Sequence, residues 1–175
     1  MIIFETKNKI ADEFAHSHIP KLKEISKPLK PFGITYFSYS KLVDKDKFMV
    51  LCPHMAKIRE KFGYSLDREH IVQPQLGQIQ QHKEIALWQI FVPENPIVKE
   101  FRDFNINHGI SLFRKREGNI YESFHFATTN DNEQILDVYF NNLSILNIFS
   151  DYFVNKMSDI IDHQIPGKLI QIESP

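Results

Sequence analysis

The sequence predicts an α+β domain, with helices covering both faces of an antiparallel sheet. Three observations carry that prediction. FGITYFSYSKL and NIYESFHFATT are short, aromatic and bounded by turn residues, as strands are. Other segments repeat apolar residues at three and four, as helices do. Tyr36 stands on one side of its strand and Phe37 and Tyr39 on the other, so neither side of the sheet is expected to face water.

In chain order, Ile10, Phe14, His18, Leu22 and Ile25 give Asn8 to Ser26 one apolar helical face, which Pro20 is expected to kink or split. SKPLKP closes that region, since its prolines lack donors and push the residues before them to extended conformations. Gly33 opens the first strand, VDKDK is a charged turn, and FMVLC is the returning arm of a hairpin that ends at Pro53. Met55, Ile58 and Phe62 form a weak helical pattern running toward His82 without readable boundaries. EIALWQIFVP is an apolar run stopped by PENP, and Val98, Phe101, Phe104 and Asn105 predict a helix ended by His108 and Gly109. GISLFRKREGNIYESFHFATT then switches to period two. It reads as two strands around REGN, with Phe124 and Phe126 on one face and Tyr121, Ser123 and His125 on the other. From Asp137 onward, Phe140, Leu143, Leu146 or Ile148, Phe149, Phe153, Met157, Ile160 and Ile161 predict one long helix of about six turns, ending at Pro166 and Gly167.

A chain of 175 residues is expected to form a single domain, here 1–165, with 166–175 as a C-terminal linker or tail. A formal net charge of -1 creates no field that would draw nucleic acid or an anionic membrane, so this chain is expected to bind neither. One cysteine, Cys52, excludes an intramolecular disulfide and favours a reducing compartment, taken as the cytoplasm. No apolar run reaches the roughly 20 residues that span a bilayer, and MIIFETKNKI is too short in apolar residues for a secretory signal. The 15 Phe are a surplus of ring volume that must be packed or must line something.

Enzyme signatures are missing: there is no GxGxxG, P-loop, GxSxG or HExxH, so neither an enzyme nor a cofactor is expected. Cys52 and His54 are too poorly placed on a strand for a nucleophilic pair, and a buried thiol is the better reading. His16 and His18 face apart on a helix, which leaves no metal-ligand spacing. Asp67 and Glu69 read as a solvated turn. His125, mid-strand among rings, is either a partnered core histidine or the polar lining of a cavity, and Trp88 is either core packing or a pocket wall.

The order FGITYFSYSKL, helical insert, LW, FNINHGISLFRK, YESFHFATTN and long helix resembles the autoinducer-binding domain of LuxR-type transcriptional regulators, from Phe32 to His163. NNLSILNIFSDYFVNKMSDII is similar to a divergent branch of the same regulators. That resemblance implies a PAS/GAF-like α/β/α sandwich around a sheet of about five strands, with an acyl-homoserine lactone held between the sheet and one helix layer. By position Trp88 matches the tryptophan that caps the lactone head, Ser38 a small residue on the pocket side, and His125 a hydroxyl residue near the ligand's polar groups. Alternation adds Tyr36, Ser40, Tyr121 and Ser123 to that side, and the helical insert adds Ile58 and Phe62.

The sequence departs from the family where His54, Ile58 and Ile71 replace a tyrosine, a tryptophan and an aspartate. Without the aspartate a ligand amide loses its acceptor, at a cost of about 1 to 3 kcal/mol. The expected partner is therefore an acyl-homoserine lactone or a different apolar signal molecule. The resemblance further implies a homodimer that reports to a DNA-binding domain outside this sequence, whether the chain is a fragment or a solo sensor. A second reading, from another class, is a ligand-free dimerisation module acting on a full-length regulator.

Overall fold

The computed structural model describes residues 17–44, 47–54, 84–91, 96–118 and 120–163. A helix, α1 (17–25), and a 3-10 helix (Lys27–Phe32) lead into β1 (Tyr36–Asp44) and β2 (Lys47–Leu51). Then follow β3 (Ile85–Leu87), α2 (Trp88–Phe91), α3 (Pro96–Asp103), β4 (Asn107–Lys115) and β5 (Tyr121–Thr128). Three helices close the described part: α4 (Ile135–Asn141), α5 (Leu143–Lys156) and α6 (Ser158–His163). The strands form the expected antiparallel sheet, five-stranded, in the order β2-β1-β5-β4-β3.

Pairing between β1 and β5 sorts side chains by face. Phe37 lies opposite Phe126 and Tyr39 opposite Phe124, whereas Ser38 lies opposite His125 and Ser40 opposite Ser123. The first set packs under the helices. Phe37 meets Phe126, Phe149 and Phe153 with ring centroids 5.2, 5.0 and 4.8 Å apart, and Tyr39 meets Phe124 at 5.2 Å. Leu22 and Ile25 of α1, Leu29 of the 3-10 helix and Ile135, Tyr139, Leu146, Met157 and Ile161 complete this core. A smaller cluster of Tyr36, Cys52, Trp88, Val98, Ile106 and Ala127, with Phe101 and Phe104 against it, packs on the opposite face. Both sides of Tyr36–Ser40 are thus buried, which is why its alternation has no polar side.

Charges anchor the helix layer at the sheet's end. Glu122, only 3% exposed, accepts from the Tyr39 hydroxyl at 2.8 Å and from Arg116 Nε at 2.6 Å, so the buried carboxylate is paired as it must be. Burial and then the Glu122 charge push the Tyr39 phenol far up. Arg114 pairs with Asp151, donates to Asn147 and lies over the Phe124 ring, tying β4 to α5.

Four expectations need correction. SKPLKP is not extended: Lys27–Phe32 coils into a 3-10 turn that Gly33 terminates at φ 76. Pro20 does not split α1, which is helical on both sides of it. His108 and Gly109 do not stop a helix; α3 ends at Asp103 and both residues belong to β4. The long C-terminal helix is three segments. Asn142 stands at the first break, at φ -128, with its side-chain amide donated to the Val138 carbonyl at 2.8 Å, and Ser158 bonds the Asn155 carbonyl at 3.0 Å beside the second break at Met157. Phe140 is 55% exposed, off the stripe assigned to it, and its neighbour Tyr139 is the buried residue there. Asn8–His16, the VDKDK tip, the 55–82 pattern with Asp67, Glu69 and Ile71, the first three residues of PENP and the 166–175 tail lie outside the described residues.

Phe153→Ala removes a fully buried ring that touches both Phe37 and Tyr39 and is expected to cost about 3–5 kcal/mol in urea unfolding. Ile90→Ala, at a 64% exposed position, should stay within about 0.5 kcal/mol of the parent.

Candidate functional site

The face of the sheet away from α5 is built from small polar residues where its other face has rings. Ser38, Ser40, Ser111 and Ser123 are all buried there, interleaved along the same strands with Phe37, Tyr39, Leu112 and Phe124 of the opposite face. Register places Ser38, His125, Ser111 and Ala86 in one row across four strands.

Trp88 stands at one end of this row. It follows β3 directly, and β4 bulges beside it: His108 and Gly109 together oppose the single residue Ala127 of β5. The bulge is held by His108, at φ 49, whose ring meets the Gln89 amide and the Asn130 carbonyl, each at 2.9 Å. A Cβ on Gly109 would lie 2.1 Å from a Trp88 ring carbon, so the indole rests directly on the backbone at a place only glycine leaves open. Trp88 Nε1 donates to Ser111 Oγ at 2.9 Å, and Ser111 Oγ is 2.7 Å from His125 Nδ1.

Aromatic side chains wall the row. The Tyr36 ring lies 6.2 Å from Trp88, 5.5 Å from Phe101 and 5.4 Å from His54, and Trp88 lies 5.7 Å from Phe101. The Tyr36 hydroxyl donates to Ser38 Oγ at 3.0 Å and sits 3.5 Å from Cys52 Sγ. Burial, then the Cys52 thiol, hold that phenol well above its ordinary range. The Phe113 ring meets His125 edge-on at 6.4 Å. Burial lowers the His125 imidazole from 6.5 to about 4, so it is neutral at physiological pH.

Of the residues expected to make a site, Tyr36, Ser38, Trp88 and His125 come together here. Ser40 and Ser123 pair with each other one row on. Tyr121 shares the face but stands beside Leu42 and Lys115, about 13 Å along the strand from His125 by strand rise, at the rim. Ile58 and Phe62 lie outside the described residues. Ser111, Gly109 and Phe101 belong to the wall and were not among the expected residues. Their signal is the register of β4 against β5, which places Ser111 opposite His125. Among the described residues no group of three or more His, Cys, Asp or Glu side chains could hold a metal ion.

No protein-family model matches the sequence, and no curated protein matches it. Solved structures do. CepR2 from Burkholderia cenocepacia, an N-acylhomoserine lactone dependent LuxR family transcription factor, aligns over 87% of this chain and 99% of its own, with 10% identity and a TM-score of 0.56. SdiA in complex with octanoyl-rac-glycerol covers 95% of this chain and 70% of its own at 12% identity and TM-score 0.47. A crystal structure of Escherichia coli SdiA covers 94% and 71% at 11% identity and TM-score 0.45. The CepR2 likeness shows a shared fold, the α+β fold of the LuxR-type autoinducer-binding domain.

Gly109→Ala must displace the indole, which is the single tryptophan of the chain and 5% exposed. Its fluorescence should shift to the red and stability fall by about 1–3 kcal/mol; unchanged emission would contradict the stacked geometry. His125 gives a pH signature. Its folded value lies below its unfolded one, so the stability tied to its neutral form is complete above 6.5 and lost as pH falls from 6.5 through about 4. The stability difference between the parent and His125→Gln should decline across that window, measured by urea titration at several pH values.

Proposed function

We propose that the chain is the ligand-sensing domain of a LuxR-type quorum-sensing regulator, 1–165 forming the sensor and 166–175 its tail. It takes a small, mostly apolar signal molecule against the serine-lined face of the sheet. It answers by pairing with a second copy and so controls a separate DNA-binding domain. The observation that carries this reading is the contrast between the two faces, one filled by rings and one lined by buried hydroxyls between aromatic walls, which is how a mostly apolar site with a few convergent polar groups is built.

Tyr36, Ser38, Ser40, Trp88, Tyr121, Ser123 and His125 are the contacts proposed from the described residues, and Ile58 and Phe62 complete the set. CepR2 is described as dependent on N-acylhomoserine lactone, which makes that compound class the first to try. With Ile71 in place of an acidic acceptor, a ligand without an amide donor suits this chain at least as well. The protein is read as a binding protein of the cytoplasm, not an enzyme: its fold neighbour is a transcription factor, and no helix among the described residues is long and apolar enough to cross a membrane.

Pairing has support in α5, where Ile145, Ile148 and Tyr152 are exposed on one side. The same strip favours the second reading, a dimerisation module without ligand. Native mass spectrometry of protein from its own source separates the two, since copy number and retained mass are read together. A dimer carrying a small molecule is expected. Thermal shift with N-octanoyl homoserine lactone and with octanoyl glycerol then tests the site, because a bound ligand stabilises by mass action. Trp88→Ala and His125→Ala should lose most of any shift the parent shows. A ligand whose full shift survives both substitutions would move the site elsewhere, and a dimer that never retains or accepts a ligand would leave the interaction module.

A further inference from the structure

The aromatic wall of the serine-lined face is fastened from outside by a chain of polar contacts. The His108 ring meets the Gln89 amide of α2 and the Asn130 carbonyl beyond β5, each at 2.9 Å. Asn130 in turn donates its backbone N–H to Asn105 Oδ1 and its side-chain amide to the Arg102 carbonyl of α3, again at 2.9 Å. Gln89 follows Trp88 and Arg102 follows Phe101, so one clasp holds the two elements that carry these wall rings. Among the described residues, Asn105 at φ 58 and His108 at φ 49 are the two non-glycine residues with positive φ, and both belong to the clasp.

Two features make the clasp able to open. Asn105 and Asn130 are exposed and His108 is half-buried, so water competes for the contacts that meet at Asn130. Gln89 Oε1 is buried and has no partner among the described residues, so the closed arrangement carries a cost that opening to water removes. Behind the wall, Ser38, Ser111 and Trp88 are all buried, so a molecule reaches them only when something parts. We propose that the clasp controls passage to the ligand site, with His108 as its positioning residue: α2 and α3, carrying Trp88 and Phe101, part from the sheet when the contacts at Asn130 break, and the ligand enters and leaves there. The proposal rests on the reading of this face as a ligand site. Trp88 and Phe101 pack in the smaller cluster, apart from the Phe37, Phe126 and Phe153 core, so the wall opens while the fold stays intact.

Hydrogen exchange of the full chain tests the opening without any ligand. The Trp88 indole N–H is buried and donated to Ser111, so it exchanges only when the wall parts or the chain unfolds. Urea tells the two apart, because its effect grows with the surface exposed. In the parent, exchange at Trp88 should depend weakly on urea and exchange at the β5 backbone amides strongly. His108→Gly and Asn105→Gly keep the positive φ without strain and delete the side-chain contacts. Each should speed exchange at Trp88 about 10-fold, still with weak urea dependence, as the loss of one hydrogen bond allows. Exchange at Trp88 that follows urea as the β5 amides do, or that is no faster in His108→Gly, overturns the proposal. Should His108→Gly not fold, Asn105→Gly decides. Passage is tested by stopped flow with N-octanoyl homoserine lactone and octanoyl glycerol, read by the fluorescence of Trp88, the single tryptophan. A clasp that is closed both before and after binding governs both directions, so association and dissociation should quicken together in the variants, each about 10-fold, with affinity changing far less. A faster dissociation alone marks a wall that grips the ligand without being its way in, and overturns the proposal. Failure of both compounds and of every other lactone and acylglycerol to bind the parent overturns the ligand-site reading itself, while exchange still judges the clasp.

Discussion

The Phe37 ring is the contact on which the rest of the structure depends. From the middle of β1 it touches Phe126 of β5 and both Phe149 and Phe153 of α5, all within 5.2 Å between centroids, so it joins two strands and the helix layer at one point. Ring pairs of this kind add about 0.5–1.5 kcal/mol each beyond the area they bury. With cohesion gathered on that side, the opposite side of the same strands is released from holding the fold together. Serines can stand there where a sheet dependent on both faces would need larger apolar residues.

The serine side has its own organisation, set by a local irregularity in β4. Two residues stand against one at His108 and Gly109, and the extra residue puts a side chain-free stretch of backbone under Trp88. The indole is thereby held close to β4, its N–H reaches Ser111, and Ser111 reaches His125. Trp88 and Ser111 are buried, His125 is half-buried, and each is partnered, as the cost of an unmade buried hydrogen bond requires. The polar part of this face is as determined as the apolar core behind it.

How much of this is legible in the sequence follows from what kind of interaction made each feature. Alternation over Tyr36–Ser40 and Tyr121–Phe126 is enough to divide the residues of β1 and β5 between faces, because period two is a property of one strand alone. The breaks in the C-terminal helix are not legible from spacing. Apolar residues keep their interval across Asn142 and Met157, since every segment still packs into the same core, and the interruption shows only in the backbone, at φ -128 and φ -108. Gly109 misleads for a similar reason: a glycine after a helical pattern reads as its terminator, and its actual use depends on a ring 21 positions earlier in the chain, brought there by the sheet. Ser111 is overlooked because the bulge shifts the phase of β4, and only the observed register puts that serine beside His125. The family resemblance reached the fold and Trp88 and His125 by position, but a hydrogen bond between strands has no trace in a linear motif.

The strand order carries a consequence for how the chain reaches its native state. β1 lies between β2, its neighbour in sequence, and β5, so Tyr36 must find Ala127, 91 positions further along the chain. Closing so long a loop costs entropy before any of the Phe37 contacts return it, and folds dominated by distant pairings are slow for that reason. During synthesis the first hairpin emerges with Phe37 and Tyr39 uncovered and an unpaired edge along β1, the features that make a nascent segment prone to aggregate. Only when β5 and α5 have left the ribosome does that hairpin acquire its partners. A truncation before Phe153 would leave it without the ring that covers both Phe37 and Tyr39, so the N-terminal half is not a folding unit on its own.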